Sequence, residues 1–501
     1  MLLMKLYRII LPIFMAGVMS GCGKWLDVIP EHNTTEDLLF SDYGGYHSAL
    51  NGIYQTMASP ELYGQNLTWG YLSALSQYYD NYNIGNTMPF SYTEQYDYAS
   101  DEVKAFGEEI WRQGYFVIAN CNNLLQHLAE ADPEMFPNNY MGEMDMLKGE
   151  ALAARALMHF DLLRLFAEAP AVNMDGMAIP YSKTYPDMFP QRLTTGQVLD
   201  NVLADFREAA SLLQPIDSTS IWMVGAYNRY SANNSDAGLF FKARGFRLNY
   251  VAVRSLMARV YAYAGDMKSA YDCAAGIFKT FKEEESSYSY STFSSSAQSD
   301  AIRHHKMIDG MLVSFYSATL VNDYLATGAT GNSETNPFRL KNLDYIFADA
   351  DDYRNYNDEG NKLIYLISNE YLGSLKYIER TGGSNTYESE NCLLPVMRLS
   401  ELALIMAEYL VSQNNIADAV SILNELRQAR GCQLRTLQPT ATAEEINEEI
   451  RMESWRENVA EGQYFFFCKR KNLPTIMDDG VIIQMEGKYT MQIPDSETSM
   501  N

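Results

Sequence analysis

Cysteine and histidine are scarce in this 501-residue chain, six of each. Cys121, Cys273, Cys392, Cys432 and Cys468 lie far apart and show no CxxC spacing, which argues against a disulfide framework or a zinc site. They read as small buried hydrophobes, although one or two could pair in an oxidising compartment. The single adjacent pair, His304-His305, would point to opposite sides of a strand and fits a solvated loop better than a metal site. Positive charge is also short: 38 Lys and Arg stand against 63 Asp and Glu, a formal net charge of −25. Such a chain does not bind nucleic acid through its phosphates, and it is charged enough to stay dissolved at a crowded surface. No Gly-rich phosphate loop, GxSxG or HExxH is present, so no motif announces an enzyme. Long apolar runs are missing beyond residue 18.

The N-terminus is the exception. Lys5 and Arg8 precede an apolar run from Ile9 to Val18, which ends in Met19-Ser20-Gly21-Cys22. That run is too short to span a bilayer, which takes roughly 20 apolar residues. It reads as a cleaved signal peptide (residues 1–21), with small residues placed before Cys22 as a lipoprotein signal peptidase requires. Cys22 would then carry acyl chains; at about 0.8 kcal/mol per buried CH₂, more than one chain makes a stable anchor. Cleavage removes two positive charges and takes the net charge to −27 over 480 residues. That length exceeds the usual single core, so two lobes or a repeat scaffold with insertions is expected.

What the chain does have is helical periodicity. Between Asp145 and Glu168, Leu152, Ala156, Phe160, Leu163 and Ala167 mark one face, and apolar residues on other faces predict a helix buried on more than one side. Pro170 should end it. A second helix is predicted over Thr195–Leu213. A third pair runs from Leu248 to Gly265 and from Asp266 to Phe281, with Gly265 as C-terminal stop and Asp266 as N-cap. A fourth pair covers Pro395–Gln413 and Asn415–Gly431, and a last helix spans about Glu444–Glu461. The spacing of small residues, Ala258, Ala270 and Ala274 among them, suits crossing antiparallel helices of the tetratricopeptide type. The expected fold is mainly α: a tetratricopeptide-like helix-pair scaffold with long irregular insertions forming a binding lobe. These insertions are residues 60–100, 214–246 and 282–395, rich in turn formers and aromatics, and loops of that length are usually functional.

Six segments, in order, resemble RagB/SusD lipoproteins. The mature start resembles their opening at Leu26, Asp27, Pro30, Leu50, Gly52, Ile53 and Tyr54. Further resemblances are Trp111-Arg-Gln-Gly-Tyr, Gly149-Glu-Ala…Pro170, Arg398…Gly431, Trp455…Arg470 and the tail after Met491. The match is imperfect in one place: Gln463 stands at the family's usual arginine and Phe466 where an aspartate is expected. The resemblance implies an outer-membrane, cell-surface location and a SusC-like TonB-dependent transporter as partner. The protein would act as a hinged lid that captures oligosaccharide, or in some systems peptide, for import. It implies no enzymatic activity. The chain then divides into the signal peptide (1–21), an N-terminal segment with a Tyr-rich loop (22–100), a helical scaffold (101–281), an insertion lobe (282–395) and C-terminal helices with a tail (396–501).

Sugar capture needs flat apolar faces flanked by hydroxyl-reading groups, and tyrosine supplies area, rigidity and a polar tip. The run Tyr78-Tyr79-Asp80-Asn81-Tyr82-Asn83 fits that grammar and falls where the family often contacts ligand. Tyrosines there could equally pack loops onto a scaffold. Trp222, Tyr227 and Tyr230 form a second candidate group, and Tyr288 and Tyr290, in the later insertion, a third. No cofactor is expected. The acidic runs Glu283–Glu285 and Asp349–Asp352 could hold Ca²⁺, but the second lacks EF-hand spacing and both read better as solvated charge. Three rivals stand beside the glycan-binding reading. One is a peptide-binding lid, and another a lipid-anchored helical adaptor without a small ligand. The third is a glycoside hydrolase, which would need two carboxylates about 5–10 Å apart.

Overall fold

The computed structural model describes residues 36–81, 88–217, 229–230, 239–283, 288–290, 305–329, 336–349, 351–355, 364–366, 372–379, 390–432, 436–477 and 480–498. The expected signal peptide, Cys22, Tyr82, Asn83, Trp222, Tyr227, His304, Glu284 and Glu285 lie outside the described residues. The chain divides into two compact units, residues 1–46 and 47–501. In the first, a helical turn at Glu36–Leu39 precedes the start of helix α1 (Tyr43–Met57), and Phe40 meets Tyr46 edge-on at 4.9 Å between ring centroids.

The second unit is mainly helical, as the periodicity requires. Helix α2 (Asp101–Glu130) starts at Ser100, whose hydroxyl accepts the Val103 N–H. It buries Val103, Gly107, Ile110, Trp111, Gly114, Val117, Ile118 and Cys121, a stripe at helical spacing. Helix α3 (Glu143–Phe166) is buried around nearly its whole circumference, between α2 and α4 (Thr195–Asp217). The α3–α4 approach is close enough to need glycine: a Cβ on Gly149 would sit 2.8 Å from the Leu213 side chain. Two helix ends differ from expectation. α3 ends four residues before Pro170, and that proline instead opens a short helix at Pro170–Asn173. α4 continues past Leu213 and through Pro215. Its last turn is held by Asp217, which accepts from Arg244 at 3.0 and 2.7 Å and from the Tyr250 N–H at 2.9 Å.

Helices α5 (Tyr250–Ala264) and α6 (Met267–Glu283) form the predicted hairpin. Gly265 turns the chain at φ +85°, and the Asp266 carboxylate accepts the Ser269 N–H at 3.0 Å. Ala258, Ala270 and Ala274 are fully buried, so the two backbones approach closely. Helices α7 (Leu399–Ser412) and α8 (Ile416–Ala429) repeat the arrangement, and Tyr409 of α7 packs on Tyr271 of α6 at 4.7 Å. Helix α9 (Ala443–Glu457) opens with a Thr442/Glu445 capping box and stops four residues before the expected Glu461; α10 (Gln463–Lys471) follows.

The strands are short and pair antiparallel: β1 (Met177–Pro180) with β2 (Arg192–Thr194), β3 (Met311–Tyr316) with β6 (Leu393–Arg398), β4 (Ile364–Leu366) with β5 (Leu372–Ser374), and β7 (Thr475–Ile476) with β8 (Ile482–Ile483). Strand β6 corrects the expected helix start at Pro395. All six of its residues are buried, and the short apolar run before Arg398 carries no periodicity to distinguish strand from helix. Residues 60–80 correct a second expectation. They form not an irregular insertion but tight turns and a short helix, Tyr71–Leu75, inside the core, with Trp69, Tyr71 and Leu75 buried and the Thr68 and Ser73 hydroxyls donating to nearby carbonyls.

The inserted segment is fastened to α9 and the turn after it by buried ion pairs. Arg354 donates to Asp352, to Glu453 at 2.9 Å and to Glu457 at 2.7 Å. Glu457 also accepts from Arg430 at 2.6 Å. Glu461 accepts from Lys376 at 2.6 Å and from the Arg398 Nε at 2.7 Å. Burial alone would raise the Glu453 carboxyl, but the Arg354 and Arg456 guanidiniums outweigh it and hold it at about 2. Asp349 and Asp352, expected to be solvated, are buried, because Arg354 and Arg427 neutralise them. His305 is likewise buried rather than in a solvated loop.

Candidate functional site

Two segments far apart in sequence meet in a seam. Tyr79 and Leu340 form an antiparallel bridge. The Asp80 N–H donates to the Arg339 carbonyl at 3.1 Å, and the Lys341 N–H to the Tyr78 carbonyl at 2.9 Å. On its other side, the Leu340 N–H donates to Leu372 of β5 at 2.8 Å. Two non-glycine residues with left-handed backbone bound the seam, Gln77 (φ +61°) and Asn342 (φ +59°), and the Asn342 carboxamide donates to the Gln77 carbonyl. Such conformations cost about 1–3 kcal/mol each and persist where surrounding contacts over-determine them, often at binding sites.

Beneath the seam lies a floor of buried aromatics. Trp69 packs edge-on to Tyr324 (5.1 Å) and Phe338 (5.3 Å), and Phe338 packs on Tyr79 (5.4 Å). Tyr78 and Tyr79, expected to stack on ligand, belong to this interior. Each is 1 % exposed, and their hydroxyls donate to the carbonyls of Trp455 (2.6 Å) and Trp69 (2.5 Å). A buried tyrosine must satisfy its hydroxyl, and here the backbone does so. Burial accordingly pushes both phenols well above their usual range. Their rings pack the scaffold and present no face to a sugar.

Asp80 is different. Its side chain is 29 % exposed and lies 3.9 Å from Arg339. The next residue, Asn81, is buried and held from two sides: its N–H and carboxamide donate to the Glu94 carboxylate (3.1 and 2.9 Å), and the carboxamide also reaches the Pro337 carbonyl (2.9 Å). Lys341 stands 3.6 Å from the same Glu94. The chain therefore leaves the seam from a clamped asparagine, directly before Tyr82 and Asn83, which lie outside the described residues. Arg339, Lys341 and Glu94 were not legible as part of this arrangement. Their partners are separated from them by many residues, and no local pattern links them.

The third candidate group, with Tyr230 of the second, is also interior. Tyr230 packs on Phe246 at 4.8 Å, Tyr290 on Phe278 at 6.1 Å, and Arg229 sits 3.8 Å over the Tyr288 ring. Arg229 thus joins the second group to the third, but all three tyrosines are buried.

One histidine deserves comparison with a catalytic base. His159 is fully buried; one ring nitrogen accepts the Ser182 backbone N–H (3.1 Å), the other pairs with the Arg155 carbonyl (2.9 Å), and the ring stacks on Tyr181 at 3.8 Å. Burial lowers its pKa to about 3. Both nitrogens are engaged by backbone, so it is a packing element that ties down residues 181–182. Among the described residues, no three His, Cys, Asp or Glu side chains are grouped as a metal would need, and no helix is long and apolar enough to cross a membrane.

A family model described as SusD family matches residues 222–498, and one described as "Starch-binding associating with outer membrane" matches residues 24–225. The chain belongs to the SusD family. Solved structures agree in fold. A putative sugar binding protein from Bacteroides vulgatus aligns over 91 % of this chain and 96 % of its own, at 20 % identity and TM-score 0.66. A SusD superfamily protein from Bacteroides thetaiotaomicron gives 91 %, 98 %, 20 % and 0.66 on the same measures. A SusD-like carbohydrate binding protein from B. vulgatus gives 91 %, 96 %, 16 % and 0.66. No curated protein matches in sequence. In this SusD-family chain the seam joins the two matched regions, since Tyr78–Asn81 fall in one and Pro337–Lys341 in the other.

Proposed function

We propose that this chain captures oligosaccharide at the outer surface of an outer membrane and passes it to a SusC-like TonB-dependent transporter, without chemical conversion. Two family matches support the setting: one carries a starch-binding, outer-membrane description, and together they span residues 24–498. The observation that carries the siting is the seam. It brings an accessible carboxylate, Asp80, beside Arg339, and hands the chain directly to Tyr82 and Asn83. The Asp80 carboxylate is able to read sugar hydroxyls through charge-assisted hydrogen bonds, and Tyr82, two residues on in sequence, is of a residue type that stacks on sugars. Cys22 is the proposed lipid attachment point; radiolabelled palmitate should enter the wild-type chain and not Cys22→Ala.

The test is a calorimetric binding screen of the chain lacking residues 1–22 against host and plant glycans and peptides. A glycan hit supports the reading. A peptide hit transfers the site to peptide capture, and binding of neither contradicts ligand capture by the isolated chain.

A further inference from the structure

A cavity of about 50 Å³ lies among α3, α5, α7, α9 and α10 and shares no lining residue with the seam. Its wall includes Arg164, Arg259, Arg398 and Arg470 but, of acidic residues, Glu401 and Glu457. Four guanidiniums thus meet around one interior space, each paired with a carboxylate: Arg164 with Asp161, Arg259 with Glu401, Arg398 with Glu461 and Arg470 with Glu408. We propose that this cavity binds one small monovalent anion of chloride size.

Three groups lining it, Arg164 Nε, Arg259 Nη1 and the Tyr263 hydroxyl, have no hydrogen-bond partner among the described residues. Their residues are only 2 %, 5 % and 4 % exposed, so bulk water does not serve them. An unmade hydrogen bond on a buried donor costs about 1–3 kcal/mol, more for a charged group. The rest of each guanidinium is already committed. Arg164 donates to Asp161 and to Gln463 (3.1 Å) and lies 3.8 Å over the Phe466 ring. Arg259 donates to Glu401 at 2.7 and 2.6 Å and to the Val396 carbonyl at 2.8 Å. Asp161, which is near Arg259 as well, is not part of the wall. Glu401 is engaged by Arg259, and Glu457 by Arg430 and Arg354.

The two arginine nitrogens can only donate, and the tyrosine hydroxyl can. Among the described residues every unmatched polar group of the wall is thus able to donate, which suits a centre that accepts without donating, and that is an anion. At about 10–15 Å³ per water the space holds one halide or roughly three to five waters. A sugar needs several hundred Å³. Gln463 and Phe466, the two departures from the family-like segment, both face this cavity and contribute no charge to it.

The test is thermal unfolding of the purified full chain at fixed ionic strength, with sodium chloride or bromide exchanged for sodium gluconate, whose anion is too large to enter. A ligand that binds the folded state stabilises it in a saturable way. The expected result is a saturable rise in melting temperature with halide alone. Tyr263→Phe, which keeps the ring and removes one donor, should raise the half-saturating halide concentration about tenfold. A crystal soaked in bromide should show an anomalous peak between Arg164, Arg259 and Tyr263. An equal response to gluconate and chloride, an unchanged titration in Tyr263→Phe, or water density in place of the bromide peak would overturn the proposal.

Discussion

Between α5 and α6 small apolar side chains are buried, Ala258, Ala262, Ala270 and Ala274 among them; between residues 352–398 and α9 with the turn after it, arginine and lysine meet glutamate. Both interfaces are buried, yet they respond to different perturbations. An alanine seam depends on shape and tolerates changes of charge or pH elsewhere. A buried ion pair contributes little net stability over a well-packed apolar substitute, but losing one partner is costly. The helical pairs are thus held by continuous packing. The inserted segment is held by a few paired charges that also fix where it can sit.

The comparison can be broken most severely at Glu461. Glu461→Ala leaves Lys376 and Arg398 buried without their carboxylate and should cost about 3–5 kcal/mol in urea unfolding. Replacing Glu461, Lys376 and Arg398 together by Met should recover most of that loss. If the triple variant stays as unstable as the single one, the charges contribute more than pairing. In the scaffold, Leu423→Ala on the buried face of α8 should cost about 3 kcal/mol, by the same amount at pH 5 and pH 8.

Acid sharpens the contrast. Burial opposes ionisation of Glu408, but Arg470 and Lys471 hold it at about 2, as Arg354 and Arg456 hold Glu453. These carboxyls are depressed in the fold, so their contribution is present above the unfolded pKa of about 4.3 and is lost as pH falls toward about 2. His159 acts earlier. The unfolded chain binds its proton near 6.5 and the fold resists until about 3, so stability falls as pH drops between those values. His159→Gln should flatten that limb by up to about 1.4 kcal/mol per pH unit, read from urea midpoints between pH 6.5 and 4. The smallest effect belongs to the tyrosines under the seam: Tyr78→Phe and Tyr79→Phe should each cost about 1 kcal/mol, from one lost hydrogen bond to a carbonyl.

The scaffold was legible in the sequence because helices advertise themselves locally. The Gly265-Asp266 junction and the Gly431 stop fell where composition put them. The six-segment resemblance named the family, and the match over residues 222–498 bears it out. The inserted parts were less legible. Residues 60–80 look like a loop because turns, glycines and tyrosines dominate them, yet their tyrosines are interior. Sequence shows an aromatic but not which way it faces when no periodicity runs through the segment. No local pattern marks Arg354, Lys376 and Arg398 as buried, because their glutamates stand 63 to 103 positions away. The pairing of 78–80 with 339–341 was likewise hidden, since a long-range bridge leaves no local pattern.

The most direct test of the account separates the residues proposed to meet ligand from the tyrosines buried beneath the seam. Affinity for the best glycan of the screen should be measured by calorimetry for the wild type, for Asp80→Ala with Tyr82→Ala, and for Tyr78→Phe with Tyr79→Phe. The account predicts at least a tenfold loss, about 1.4 kcal/mol, in the first pair and unchanged affinity in the second. Loss in the phenylalanine pair with none in the alanine pair would contradict it and place the ligand against the buried rings.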